Sequence, residues 1–173
     1  RANRSSTPTG TPVRRPPESE RAARLRVVSQ VLYLICTEGY PATSAPDLQR
    51  GELTGEAIRL TRMVHRLLPD GEVTGLVALM LLTDARRAGR IAGDTFVPLP
   101  GQDRRLWDPD LIAEGHDLVR WCLRRNRPGI YQLQAAIQAV HTDAATAADT
   151  DWSQVLSLYD QLMKIAPTPV VVL

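Results

Sequence analysis

Residues 73–82 read VTGLVALMLL. Val73, Leu76, Val77, Leu79, Met80, Leu81 and Leu82 point in nearly every direction around a 3.6-residue turn, so this helix is apolar almost all round. Such a helix has to be enclosed, and it predicts a bundle with one central element and others packed about it. The run is about half the ~20 apolar residues that a membrane-spanning helix needs. The expected third helix covers about 72–87 and closes in DARRAGR, where Arg86 and its neighbours place cations at the C-terminal end of the macrodipole.

The flanking segments read as helices too. Leu25, Val28, Leu32 and Ile35 recur at helical spacing within a first helix of about 18–37. EGYPATSAP then breaks it with Gly39, Pro41 and Pro46. A second helix is expected over 54–68, with Thr54 as its N-cap, Glu56 in its first turn, and Ala57, Leu60, Val64 and Leu67 as its stripe. AGDTFVPLPGQDRRLWDPD is an irregular connection with a short extended piece at 96–99. Asp108 and Pro109 open a fourth helix of about 109–125, with Leu111, Leu118, Val119 and Leu123 inward. A fifth covers about 130–145. A sixth covers about 151–165, capped by Asp151 or Thr150, and Pro167 and Pro169 end it. Everything long and periodic is helical, so the fold class is all-α: an irregular bundle of about six helices.

Charge separates the chain into two parts. Residues 1–26 hold seven arginines against Glu18 and Glu20, whereas the remaining residues are net −3. Residues 1–17, RANRSSTPTGTPVRRPP, are too rich in Pro, Ser, Thr and Arg to bury a core, and read as a flexible basic linker ahead of a helical domain over 18–173. No apolar leader opens the chain. Arg1 is not a start methionine, and VVVL stops apolar and unfinished, so a longer polypeptide is expected around this stretch. Cys36 and Cys122 lack metal or redox spacing and sit in apolar runs, which fits buried, reduced thiols in the cytoplasm.

No catalytic constellation is legible. His65, His116 and His141 fall on three different helices without an H-E-x-x-H or Cys/His pairing, and no Walker loop, G-x-S-x-G or G-x-G-x-x-G occurs. Glu38 and Glu56 would meet only by accident of folding. The expectation is a non-enzyme without cofactor or metal. The polar groups that invite a binding role are Glu38 and Tyr40 in TEGYPATS, Gln102, Asp103, Arg104 and Trp107 in QDRRLWD, and Trp152 in TDW. Arg104 offers a planar fork to a carboxylate and Trp107 a stacking face. These residues would equally serve to pin the long connection to the bundle through hydrogen bonds and a buried indole.

The fifth helix, GIYQLQAAIQAVH, has three faces. Leu133, Ala136, Ile137 and Val140 form a packing stripe. Tyr131, Gln134, Gln138 and His141 form a hydrogen-bonding stripe 120–130° away by the 100° step per residue. Ala135 and Ala139 make a small face beside Gln132. No formal charge lies between Ile130 and Thr142, although exposed helix faces usually carry Glu, Lys and Arg. A semi-buried polar contact surface is expected.

AIRLTRMVHRLLP (57–69) and VLSLYDQLMKIAP (155–167) also align without gaps, each with a small or branched residue first and proline twelve residues on. This matches the second helix of a tetratricopeptide repeat, most cleanly at Val155, Tyr159 and Pro167. VLYLICTEGY, LTGEAIRLTRMVHRLLPD, GLVALMLLTDARR, QDRRLWDPDLIAEG, YQLQAAIQAVH and TDWSQVLSLYDQL follow in an order and spacing that resemble one bacterial family. It is the C-terminal, tetratricopeptide-like extension of extracytoplasmic-function sigma factors of the sigma-70 family, and the likeness covers about 25–172. The chain departs from the usual pattern at Cys36, Thr37 and Ile130.

The resemblance implies a regulatory domain of a transcription initiation factor. Its partners would be the RNA polymerase core and sigma regions 2 and 4 of a longer protein. Promoter DNA would be reached only through those regions, which are not recognisable here, and no membrane partner is implied. Two alternatives stand beside it. One is a small-molecule or peptide sensor using Tyr40, Arg104, Trp107, Tyr131, Gln134 and His141. The other is a general tetratricopeptide-like interaction module.

Overall fold

The structure, a computed structural model, describes residues 17–38, 47–92 and 95–167. The expected basic linker (apart from Pro17), the EGYPATSAP breaker after Glu38 with Tyr40 in it, and the terminal valines lie outside the described residues.

Six α-helices carry the described chain: α1 Glu18–Glu38, α2 Asp47–Leu67, α3 Gly71–Asp84, α4 Pro109–Arg125, α5 Ile130–Asp143 and α6 Trp152–Ile165. Single 3-10 turns at Arg87–Gly89, Leu99–Gly101 and Arg104–Leu106 lie in the α3–α4 connection. The same connection holds a short antiparallel ribbon, β1 Ile91–Ala92 and β2 Thr95–Phe96, with Ile91 opposite Phe96. The fold is all-α. α3 is central and touches α1, α2, α4 and α5, while α6 packs on the far side of α5.

The enclosure of α3 follows from its sequence. Every residue from Val73 to Leu82 is buried. Its faces feed two clusters. Ala78, Leu79 and Leu82 join Val119 of α4, the α5 packing stripe, and Val155, Leu158 and Leu162 of α6. Leu76, Val77, Met80 and Leu81 join Leu32 and Cys36 of α1 with Ala57 and Ile58 of α2. Both thiols are free and buried, and burial pushes each up to about 11, so neither ionises readily near neutrality.

Helix starts follow the expected capping chemistry where an Asp precedes them. Asp70 accepts from the amides of Glu72 and Val73, Asp108 from Asp110 and Leu111, and Asp151 from Gln154. α4 ends at Asn126, whose φ of 47° is the left-handed C-cap.

Several boundaries and faces differ from the sequence reading. α2 begins at Asp47, seven residues before Thr54. Thr54 is not a cap but a fully buried mid-helix side chain, and Gly51 and Gly55 did not break the helix because tertiary packing overrode their propensity. α3 ends at Asp84, with the RAG segment at Arg87–Gly89 tightened into a 3-10 turn. The extended piece is Thr95–Phe96, and Leu99 is in a 3-10 turn. Val28, Ile35, Leu67 and Leu123, expected inward, are exposed.

α3 crosses α5 without room for a side chain. A Cβ at Gly75 would lie 2.6 Å from the backbone nitrogen of Gln132, and one at Gly115 would lie 2.6 Å from Leu82 Cγ. Gly75→Ala is therefore expected to destabilise by about 2–3 kcal/mol from overpacking, although alanine would gain ~1 kcal/mol of helix propensity. Urea unfolding of the variant against the parent measures this.

Candidate functional site

α5 is the helix on which the candidate residues converge, and the chain holds it at both ends through other segments. Gly129 is its N-cap residue and offers no side chain to the first turn. The missing acceptor comes from α3: the Glu72 carboxylate accepts from the amides of Tyr131 at 3.2 Å and Gln132 at 3.4 Å. The Gln132 amide group also donates to Glu72 at 3.3 Å. At the other end, Arg104 Nη1 donates to the carbonyls of His141 and Ala144, both at 2.7 Å. An anion thus closes the positive end of α5 and a cation its negative end. A helix without formal charge from Ile130 to Thr142 is stabilised by charges borrowed from α3 and from the α3–α4 connection.

The polar stripe of α5 is semi-buried along its length. Tyr131, Gln134 and Gln138 are half-buried and His141 is buried. The structure divides it between two places.

At the C-terminal half, the connection folds back onto α5. Arg86, buried, donates through Nη2 to the Gln138 side-chain carbonyl. The guanidinium carbons of Arg104 and Arg86 lie 4.5 and 6.0 Å from the centre of the buried Trp107 ring. Trp107 sits against Gly89, where a Cβ would come 2.9 Å from the indole nitrogen. His141 stands edge-on to Trp152 with ring centres 5.5 Å apart. Gln102 donates to the Val97 carbonyl at 3.0 Å and so holds the connection's own turn. Arg104 Nη2, Trp107 Nε1 and His141 Nδ1 are buried and reach no hydrogen-bond partner in the protein. The cluster brings two guanidiniums and an imidazole together, and burial first, then Arg86 and Arg104, hold the His141 imidazole below its ordinary range.

At the N-terminal half, Tyr131 and Gln134 face a different space. A groove of about 830 Å³ opens between α1 and the starts of α3 and α5. Leu25, Ser29, Tyr33, Glu72, Tyr131 and Gln134 are among its lining residues. The Tyr33 and Tyr131 rings are 5.5 Å apart and tilted by 57°. Burial pushes both phenols above their ordinary range, so they stay protonated. Gln134 Oε1 is buried there without a partner.

Of the remaining candidates, Asp103 and Glu38 lie apart from both places and Trp152 lies at the edge of the cluster. Asp103 accepts from the amide and guanidinium of Arg105, and those bonds hold its carboxyl below the usual range. Glu38 is exposed at the end of α1. Trp152 is largely exposed beyond its contact with His141. Among the described residues, no group of three or more His, Cys, Asp or Glu side chains is placed to hold a metal ion.

Sequence reasoning missed Glu72, Tyr33, Ser29 and the ion pair between Arg62 of α2 and Glu114 of α4. Nothing in DGEV at 70–73 signals that its glutamate caps a helix about 60 residues on.

These features define an all-α domain whose candidate surfaces are an apolar groove and a cationic, largely buried polar cluster, both arranged along one helix. Residues 24–123 match the family of unknown function DUF6596, and the chain belongs to that family. An uncharacterized protein of Rhizobium meliloti (strain 1021) is 42% identical over 166 residues, covering 95% of this chain. The chain spans 39% of that relative's length. No solved structure matches. No helix among the described residues is long and apolar enough to cross a membrane.

Two measurements test the clamped helix. Glu72→Ala should cost about 1–2 kcal/mol, the value of a helix cap with its dipole term, read from denaturant midpoints. The second is pH-dependent. His65, His116 and His141 all lie below their ordinary range, with burial the largest cause in each. The unfolded chain therefore binds protons first as pH falls below about 6.5. Stability should decline from there and level off once the folded state also protonates. His141→Gln should flatten part of that slope in urea titrations at neutral and mildly acidic pH.

Proposed function

We propose that this chain is the regulatory C-terminal domain of a sigma-70-family, extracytoplasmic-function sigma factor. It acts in the cytoplasm, modulating transcription initiation through contacts with the RNA polymerase core or with sigma regions 2 and 4 of a longer protein. The observation that carries the reading is the ordered series of six motifs. Support comes from the family match, which takes in the first four of them in full. A relative of which this chain spans only 39% has room for the further domains that the reading needs. Arg104 of QDRRLWD bonds the His141 carbonyl of YQLQAAIQAVH and stacks on Trp107 at the foot of α5, which suits a module whose signature residues secure its shape and whose surface makes contacts. The reading assigns no catalysis, cofactor or metal, and leaves promoter DNA to the other regions.

The groove favours a second, compatible reading as a sensor of a peptide or small molecule. It combines apolar walls with two protonated phenols and an unpartnered Gln134 acceptor, the mixture by which ligand sites orient an occupant.

Transcription in vitro with core polymerase tests both. Removing the region equivalent to 18–167 from the longer Rhizobium meliloti relative should change initiation by ~5-fold or more, the usual size of coupling between sites. Unchanged initiation, or failure of the relative to bind core polymerase, overturns the regulatory reading. Loss of inducibility on replacing the groove's two tyrosines and the residue equivalent to Gln134, with basal initiation kept, would favour the sensor.

A further inference from the structure

The N-terminal helix turns two different faces outward and inward. Ser29, Leu32 and Cys36 are buried against the bundle. On the opposite side Val27, Val31 and Leu34 are 61%, 48% and 53% exposed, flanked by Val28 and Ile35, which are also exposed. An aliphatic stripe of this length on an exposed helix marks an interaction surface. The groove lies along a neighbouring side of the same helix and shares Leu34 with this stripe, whereas Val27 and Val31 lie outside it.

The ends of the stripe say what covers it. Arg24, Val27, Val31, Leu34 and Glu38 follow at steps of three, four, three and four residues, the alternation that aligns one seam of a helix pair. The seam begins with a cation and ends with an anion, with Val31 midway. Arg24 and Glu38 are about 21 Å apart along the helix, well beyond the ~8 Å screening length, so they do not neutralise each other within one copy. A parallel partner helix would set arginine against arginine and glutamate against glutamate. An antiparallel copy centred on Val31 sets each Arg24 within reach of the other copy's Glu38, with the aliphatic residues between them. Arg24 bonds Glu20 at 2.7 Å within its own helix, an exposed pair that is readily exchanged.

We propose that α1 is a homodimerisation surface, in which two copies of this chain pair their Arg24–Glu38 seams antiparallel about a two-fold axis. The interface is self-complementary, as two-fold symmetry requires. One helix face per copy sits at the small end of specific interfaces, so the dimer forms at micromolar to submillimolar concentration and weakens with salt. The proposal rests on α1 alone and is independent of the sigma-factor reading.

Sedimentation velocity of the 173-residue chain, from about 5 to about 500 µM, tests it. The expected result is a concentration-dependent shift to the mass of two copies. Val31→Glu should abolish the shift with helicity unchanged by circular dichroism. Arg24→Glu and Glu38→Arg should each weaken pairing by ~10-fold or more, and the double variant should recover it, because it restores the opposite-charge pairs. If Val31→Glu also lowers helicity, the charge variants, both at exposed positions, decide alone. A single-copy mass throughout overturns the proposal and leaves the stripe to another segment of a longer chain. A double variant no tighter than either single overturns the antiparallel register.

Discussion

The structure depends on one close contact, the passage of α3 across α5 at Gly75. Because α3 is apolar on every side, it can be satisfied only by neighbours all round, and the nearest approach is where glycine meets the Gln132 backbone. That approach brings Glu72 to the start of α5, where Gly129 leaves amide groups uncapped. The packing of one helix and the capping of another are thus the same event. α5 then divides the core, giving its packing stripe to α3, α4 and α6 and leaving its polar stripe to the groove and to the α3–α4 connection.

The connection is the second consequence. Among its described residues it has only a short ribbon and single 3-10 turns for regular structure, so its backbone relies on side chains for anchorage. Trp107 supplies the apolar anchor, Arg104 ties it to the α5 carbonyls, and Arg86 reaches Gln138. Cations suit this place because a helix C-terminus presents unpaired carbonyls. The same choice leaves a cationic interior that disfavours a protonated His141. Arg86, Arg104, Trp107 and Gln138, among the polar residues that drew attention in the sequence, hold this junction together, and the open surface of the domain lies at the other end of α5 and on the outer side of α1.

Legibility followed the range of the interaction. The all-round apolar run of α3, the Asp caps before α4 and α6, and the faces of α5 are properties of neighbours in sequence, and all appear as read. Thr54 shows the limit. Thr-Gly-Glu-Ala has the local chemistry of a helix start, but the segment before it packs as helix and Thr54 is enclosed. Val28 and Ile35 show another limit. Periodicity identified an apolar helix without indicating which of its two apolar sides meets the bundle.

The candidate site divides along the same line. That Tyr131, Gln134, Gln138 and His141 share a face, and that a face without charge is semi-buried, followed from a 100° step and from the cost of burying charge. That this face serves two places rather than one groove required the three-dimensional path of α1 and of the connection. Glu72 is 59 residues from the Tyr131 amide that it receives, and Arg104 is 37 from the His141 carbonyl that it caps. By itself the sequence determined that the long segments are helical, that aspartates cap α4 and α6, and which residues of α5 share a face, because those depend on bonds a few residues long. Only the tertiary structure decided which charge closes which helix and which apolar face remains open, because those depend on where distant segments come to rest.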